Sequence, residues 1–441
     1  MRFIYCFDRI VLMDEMELTI QSNGMDGEGV ARYNGKVYFV DGAILGEVVV
    51  AREVKSNKNF SRAELVRIVK KSKDRCGPIC KYYGICGGCN LQHIKYEEQL
   101  NIKRDNIQNL IKKSGLGANV NDVFASEKCF GYRNKVKLFV GNSNELGFNK
   151  RKSNEVITIN RCELVDENFN KIIEKIGFFI KNNAKFSHFY VKCVVIRVID
   201  NVYTITLMLN KRINFDEFEA YLKRNKINYS LSYCLTKEND IPLYPACFVG
   251  GISDVMLNEF GIKYPVFPLA FLQVNNYIKN KVYGMIVDGI EKDEIVVDAY
   301  SGSGLLSAII AQKAKWVYAV EIEKSSVDAC VELCKRNNIS NLTAINGDCA
   351  ELIPKLLGEN YVDTIILDPA RRGVDQRTIE SIIKNKPRRV IYLSCNPATL
   401  VRDLKMVVDG AGYSIRYIQP FDMFPQTSEV EALVELELES L

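Results

Sequence analysis

The chain has 441 residues, 47% hydrophobic and 26% charged, with a net charge of +5 at pH 7. That length exceeds one typical domain and points to two or three, and the composition excludes disordered and fibrous classes. No apolar run approaches the roughly 20 residues that cross a bilayer, and the opening MRFIYCFDRIVLMDEMELTI is broken by Arg2, Asp8, Arg9 and Asp14, unlike a secretory signal, so a cytoplasmic protein with no membrane partner is expected.

From about Asp14 to Val69, apolar or alternating segments such as Lys36–Val40 and Glu47–Arg52 are separated by Gly24, Gly27, Gly29, Gly35, Gly42 and Gly46. Short strands at this spacing predict a small OB-like β-barrel over residues 1–72. Between Ala51 and Arg75, the basic residues Arg52, Lys55, Lys58, Arg62, Arg67, Lys70, Lys71, Lys73 and Arg75 outnumber Glu53, Glu64 and Asp74. A local excess of this kind suits a polyanion through counterion release, although a solvated strand pair is an equal reading.

The chain has 14 cysteines, and a cytoplasmic setting argues against disulfides. Cys193, Cys234, Cys247, Cys330 and Cys334 lie in apolar or helical contexts and are expected in the core. Arg75–His93 is different: Cys76, Cys80, Cys86 and Cys89 crowd into one short stretch, and thiolates so closely spaced favour a metal. An iron–sulfur centre and a tetrahedral zinc are both open at this point.

YEEQLNIKRDNIQNLIKKSG then carries a helical pattern over about 95–114, with Gly115 as its stop. Further strands (Lys135–Val140, Val191–Val198, Tyr203–Leu209) and helices (Glu167–Lys181, Phe215–Asn225) predict a central α+β domain over 73–262, with helix 95–114 a candidate to pack on the next domain. Over 263–441 apolar strands alternate with helices: EIVVDAY, WVYAVEI, TAINGD, TIILDP, RVIYLSC. That rhythm predicts a doubly wound, Rossmann-like α/β sheet. ALVELEL near the end is expected to be an edge strand.

Ligands bind such sheets at the carboxyl ends of their strands. There the first strand ends in Asp298-Ala-Tyr-Ser-Gly-Ser-Gly304, whose glycines admit a ligand close to the backbone. Glu321 ends the second strand, where it can accept both ribose hydroxyls, and Asp348 follows the third, near an adenine edge. The third glycine of a dinucleotide fingerprint is replaced by Ser307, which favours S-adenosylmethionine over NAD. Phe271-Leu-Gln-Val-Asn275 lies just upstream as a roof. The fourth strand ends in Asp368-Pro-Ala-Arg371-Arg-Gly373 and the fifth in Ser394-Cys395-Asn396-Pro397. Cys395 is a candidate nucleophile, its pKa lowered by nearby donors or by the helix expected after Pro397, and Glu431 is a candidate general base. Taken alone, a buried cysteine at a strand end is the more common case for Cys395, and an ordinary exposed strand carboxylate is the alternative for Glu431.

Together FLQVN, DAYSGSG, LDPARRG, LSCNP and FPQTSEVE, in that order over Phe271–Glu431, resemble the RNA uracil-5-methyltransferase family. The resemblance implies S-adenosylmethionine as cofactor, Cys395 as nucleophile and Glu431 as proton acceptor. It implies cofactor-side contacts from Gln273, Tyr300, Glu321 and Asp368, with Asp348 near the adenine and Asp368 also able to touch the target base. Asp26-Gly-Glu-Gly-Val-Ala31 and FVDGAILGEVV look like a TRAM domain, an RNA-binding barrel. Cys80, Cys86 and Cys89 match the family's C-x5-C-x2-C arrangement and Cys162 its distant fourth ligand, which implies a four-iron four-sulfur (4Fe-4S) cluster. Cys76 is unassigned.

Uracil C5 is a poor nucleophile, and thiolate addition at C6 is what activates it, which is why such a reaction needs a cysteine and a base. Two departures stand out: Glu429 occupies the usual histidine position two residues before the base, and DPAR replaces DPPR. Glu429 either raises Glu431 by like-charge repulsion or faces solvent. Four-cysteine members with a TRAM domain resemble those acting on large-subunit (23S) ribosomal RNA, so ribosomal RNA is the first expectation, with a monomeric enzyme as the default. Transfer RNA is the alternative substrate. A cytosine-5-methyltransferase, or a turnover-deficient RNA-binding ribosome assembly factor, is the alternative function.

Overall fold

The computed structural model describes residues 15–236 and 242–439. The expectation that the N-terminus is no secretory signal falls largely on residues 1–14, outside that range. No described helix is long and apolar enough to cross a membrane.

Among the described residues the chain builds three large sheets. The first is six-stranded: Glu15–Thr19 pairs with Val48–Ser56 at one edge, and Ser22–Asn23, a few residues further along the chain, pairs with Gly29–Tyr33 at the other. One stretch of chain thus joins both edges and closes the sheet into a barrel around Leu18, Ile20, Ala31, Val40 and Val49. Arg75 belongs to its frame, because its guanidinium is committed to the fully buried Glu47 and to the Gly42 carbonyl. The sequence-level basic run is therefore partly structural.

The second sheet has seven strands, with Val202–Leu209 and Tyr229–Thr236 parallel and the other pairings antiparallel. Helices Glu167–Lys181 and Asp216–Arg224 cover one face through Phe169, Ile173, Ile176, Phe218 and Leu222. The hairpin Met256–Glu259/Ile262–Pro265 packs Leu257, Ile262 and Tyr264 onto Leu305, Ile309 and Leu333 of the third sheet's helices.

The third sheet runs in the order Leu342–Asn346, Trp316–Glu321, Ile295–Ala299, Thr364–Leu367, Arg389–Ser394, Glu431–Leu438, Tyr413–Phe421. Its first five strands are parallel, and the last two pair antiparallel to each other and to the rest. The expected edge position of ALVELEL is corrected here. Glu431–Leu438 is an interior strand, and Leu433, Val434 and Leu436 are each fully buried. Apolar side chains pointing to both faces need cover on both, which an edge does not give. Among the cysteines expected in the core, Cys193, Cys234 and Cys330 are buried, whereas Cys247 is exposed on an outermost strand and Cys334 is half-buried.

Helix Tyr96–Ser114 ends at Gly115 in the left-handed conformation. It lays Ile107 and Ile111 against Leu400, Val401 and Leu404 of helix Pro397–Ala411. Its Lys103 is fully buried and pairs with the equally buried Asp422. Breaking such a pair strands one charge in the core, at a cost of about 3–5 kcal/mol. Lys103→Ala should therefore lose about that much in equilibrium urea unfolding, and a loss of under about 1 kcal/mol would contradict the pairing.

Candidate active site and cysteine centre

Gln273, Tyr300, Glu321, Asp348, Asp368, Cys395 and Glu431 all line one cavity of about 920 Å³. It opens at the point where the third sheet's strand order reverses, the usual ligand crevice of such a sheet. The turn after Ile295–Ala299 is shaped by backbone conformation: Tyr300, Gly302 and Gly304 all have positive φ, of 64°, 55° and 79°. A Cβ on Gly304 would stand 2.2 Å from the Cys330 sulfur, so this position excludes every other residue on space as well as conformation. Glu321 accepts from the Gly302 N–H at 3.0 Å and the Glu323 N–H at 2.8 Å, which fixes its carboxylate at the mouth of the turn. Asp348 caps helix Cys349–Glu359 by accepting from Ala350. Ser307 is fully buried and donates to Asp298 at the root of the turn, so the absent third glycine has a structural use.

The exits of the fourth and fifth strands are tied together by Asn396. Its amide donates to the Arg371 carbonyl at 2.8 Å while its oxygen caps the helix that begins at Pro397. Cys395 stands between these anchors. Ser394 pairs with Ala432 across the reversed strand, which brings buried Glu431 beside Cys395. Gly373 has φ of 81°, and a Cβ there would stand 2.6 Å from an Asp403 carboxylate oxygen, so the close approach excludes a side chain.

Electrostatics overturn one expectation. Burial pushes the Cys395 thiol up to about 11; Glu431, Asp368 and Glu429 add to this, and Arg371 alone opposes it. The start of a helix does not compensate for lost water and three carboxylates. Burial likewise holds Glu431 well above the ordinary carboxylate range, reinforced by Asp368 and Glu429 and opposed by Arg371. Asp368 rises to about 7 through burial and the charge of Asp298, which itself rises to about 7 through burial. Glu429 is half-exposed and forms an ion pair with Arg371 at 2.7 Å, and Arg371 also reaches the Cys395 thiol. Both openings for Glu429 are thus realised: it meets solvent, and its charge raises Glu431.

Cys80, Cys86, Cys89 and Cys162 line an adjoining cavity of about 330 Å³, which shares Gly87, Gly88, Cys89 and Arg133 with the larger one. Burial raises Cys89 to about 12 and Cys162 to about 11, and each is raised further by the neighbouring cysteines. Among the described residues, no three or more His, Cys, Asp or Glu side chains are gathered closely enough to hold a single metal ion. Cys76 lies apart, donating to the Gln92 carbonyl.

Sequence reading did not single out Arg133, Arg151 and Lys152 of the central domain or Asn90 beside the cysteines, all of which line the large cavity. Asp26 lay within the TRAM-like motif, Arg62 within the basic stretch, Arg371 and Arg372 within LDPARRG and Ser428 within FPQTSEVE, and folding gathers them at the same cavity.

A barrel docked beside a nucleotide-type crevice with a cysteine and carboxylates at its floor defines an S-adenosylmethionine-dependent RNA methyltransferase. The family model described as tRNA (uracil-5-)-methyltransferase matches residues 95–439, and a TRAM domain model matches 13–66. An uncharacterised RNA methyltransferase of Clostridium tetani is 32% identical over 439 residues, covering 95% of each chain. Another from Thermotoga maritima is 32% identical over 443 residues, covering 96% of this chain and 99% of its own. The fold is similar to that of the Pyrococcus abyssi tRNA (uracil-54, C5)-methyltransferase in complex with S-adenosyl-L-homocysteine, at TM-score 0.78 and 24% identity over 96% of this chain and 100% of that one. The chain belongs to the RNA uracil-5-methyltransferase family, enzymes that methylate uracil C5 using S-adenosylmethionine.

A thiol with a pKa near 11 is mostly protonated at neutral pH, so its reactive fraction grows about tenfold per pH unit. Alkylation of Cys395 by iodoacetamide, followed by peptide mass spectrometry, should rise about a hundredfold between about pH 7 and about pH 9. Arg371→Ala should slow it at every pH in that window, since the guanidinium is what favours the thiolate.

Proposed function

We propose that Cys395 and Glu431 carry the chemistry on a uridine of ribosomal RNA. In this reading the Cys395 thiol gives up its proton to solvent, and the resulting thiolate sulfur bonds to uracil C6 while the C5–C6 π pair moves to C5 and its conjugated carbonyl as an enolate. C5 then bonds to the sulfonium methyl, and the electron pair of the broken S–CH3 bond stays on sulfur, leaving neutral S-adenosylhomocysteine. Glu431 takes the C5 proton, the C–H pair restores the C5–C6 double bond, and the C6–S bond breaks to return the thiolate.

The observation that carries the proposal is the single cavity shared by the cofactor-side residues, Cys395 and Glu431. Gln273, Tyr300, Glu321, Asp348 and Asp368 would hold S-adenosylmethionine, with Asp368 also near the uracil. A cationic sulfonium suits a cleft in which Asp298, Asp368 and Glu431 are held above their ordinary pKa values, because its charge favours their ionised forms. Arg371 favours the Cys395 thiolate, and Arg62, Arg133, Arg151 and Lys152 at the mouth suit an RNA backbone.

We further propose that Cys80, Cys86, Cys89 and Cys162 hold a four-iron four-sulfur cluster. In such a cluster each thiolate binds its own iron, so the four sulfurs ring a volume instead of converging on one point. That suits a cavity lined by these four thiols, and the C-x5-C spacing of Cys80 and Cys86 is less usual for a zinc ribbon. The cluster would supply a cross-link between the cysteine loop and Cys162; methyl transfer needs no electron from it. Anaerobically purified protein should be brown, with about four irons per chain, and Cys89→Ala should lose both. A colourless protein with one zinc would overturn the assignment.

Ribosomal RNA is favoured by the pairing of this four-cysteine site with a TRAM barrel, and the enzyme is proposed to act as a cytoplasmic monomer. Mapping 5-methyluridine in total RNA with and without the gene tests the substrate. A site lost from large-subunit ribosomal RNA supports the proposal; a loss from transfer RNA moves the substrate, and an unchanged map favours the assembly-factor role. In vitro, Cys395→Ala should bind RNA and S-adenosylmethionine yet transfer no methyl. Glu431→Gln should lose about 10²–10⁴-fold in turnover and accumulate a covalent protein–RNA adduct on denaturing gels.

A further inference from the structure

Asn90 follows Cys89 directly, and its side chain joins three parts of the molecule. Its Oδ1 accepts from the Ser428 N–H at 2.8 Å. Its amide nitrogen donates to the Ser428 hydroxyl at 2.9 Å and to the Asp26 carbonyl of the barrel at 2.6 Å. Its backbone joins in as well, since the Asn90 and Leu91 N–H groups both donate to the Gln426 carbonyl, at 3.2 and 3.0 Å.

Gln426 is buried and sits at φ of 71°, a left-handed conformation that a non-glycine residue keeps only when its surroundings enforce it. The enforcement comes from the same stretch of chain. Gln99 exchanges two hydrogen bonds with Gln426, one through the side-chain amides and one from the Gln426 N–H, both at 3.1 Å. Downstream of this clamp the chain reaches Glu429 and then Glu431, where the reversed strand begins. Asn90 and Ser428 border the same cavity as Cys395 and Glu431.

We infer that Asn90 is a positioning residue for Glu431: by gripping both the N–H and the hydroxyl of Ser428, it sets where the carboxylate stands over the reacting base. The inference rests on reading Glu431 as the proton acceptor. Asn90 touches neither substrate nor cofactor in this role. It acts through the backbone at 428, and its bond to Asp26 registers the barrel against the same segment.

The consequence is specific to one step. A displaced Glu431 leaves addition of Cys395 to C6 and transfer of the methyl to C5 intact, but slows removal of the C5 proton. Loss of that step leaves the enzyme attached to methylated RNA. The test uses the full-length enzyme with S-adenosylmethionine and a transcript of the RNA identified by the 5-methyluridine map. Adduct on denaturing gels, kcat, KM for RNA and melting temperature are measured for Asn90→Ala, Asn90→Asp and Glu431→Gln.

Asn90→Ala should lower kcat by about 10- to 100-fold, the scale of loss for a displaced group, with KM within about twofold and the adduct several-fold above wild type. Asn90→Asp keeps an acceptor for the Ser428 N–H and should recover most of kcat, with less adduct. If Asn90→Ala lowers adduct and kcat together, or raises KM alone, while Glu431→Gln accumulates adduct, the positioning role is overturned and the base assignment stands. If Glu431→Gln forms no adduct, the base assignment fails and the inference with it.

Discussion

A strand that runs the wrong way is the constraint on which the site depends. Five parallel strands deliver their carboxyl ends to one edge, and that edge receives the cofactor turn, Asp368 and Cys395. A sixth parallel strand would begin at the opposite edge. Because Glu431–Leu438 is antiparallel to Arg389–Ser394, its first residue lies where its neighbour's last residue lies, and the pairing of Ser394 with Ala432 carries Glu431 to Cys395. The reversal stands because the strand's apolar side chains are covered on both faces and Tyr413–Phe421 closes the outer side. Core packing, not a loop, thus sets the approach of Glu431 to Cys395, and the loop before the strand has its own restraint.

That approach has an electrostatic cost. Cys395, Asp368 and Glu431 are all pushed up by burial; Asp368 and Glu431 raise Cys395 further, and Asp368 raises Glu431. Arg371 is the opposing cation for both Cys395 and Glu431, yet Glu429 holds it in an ion pair. Glu429 therefore acts on both Cys395 and Glu431: directly by repulsion, and indirectly by engaging the guanidinium that opposes their rise. The Cys395 thiol is accordingly held mostly protonated at neutral pH. In the proposed reading, the sulfonium of S-adenosylmethionine supplies positive charge to this cleft.

Much of this was legible in the sequence, for reasons that can be named. The barrel's glycine-spaced strands, the helix closed by Gly115 and the alternation of strands and helices after residue 263 are local patterns, and the structure repeats them. Tyr300, Glu321, Asp348, Asp368 and Cys395 fell to one edge because strand ends in a parallel sheet share an edge, whereas Gln273 precedes the sheet and Glu431 opens the reversed strand. What stayed hidden depends on long-range contacts. ALVELEL was expected at an edge because neither its direction nor its neighbours can be deduced from its composition. The Cys395 pKa was expected to fall because a helix start is visible in a sequence and desolvation is not. Arg75, counted among the residues that suit RNA, is spent on Glu47, whereas Arg133, Arg151 and Lys152 reach the cavity mouth from positions without any motif.

The remaining connection runs between the two sites. The stretch from Tyr83 to Lys103 lines the thiol cavity at one end and grips the segment before Glu431 along the rest of its length, through Asn90, Leu91, Gln99 and finally Lys103 on Asp422. Tyr132, from the central domain, adds a bond to the Pro425 carbonyl. Many of the restraints on the segment before Glu431 thus come from outside the catalytic sheet. An isolated catalytic domain would keep the strand but lose what holds its approach, which gives a physical reason for the N-terminal modules beyond contact with RNA. The cysteine loop is the hub of that arrangement, because it meets the barrel at Asp26, the central hairpin at Asn149 and the catalytic segment at Gln426 and Ser428.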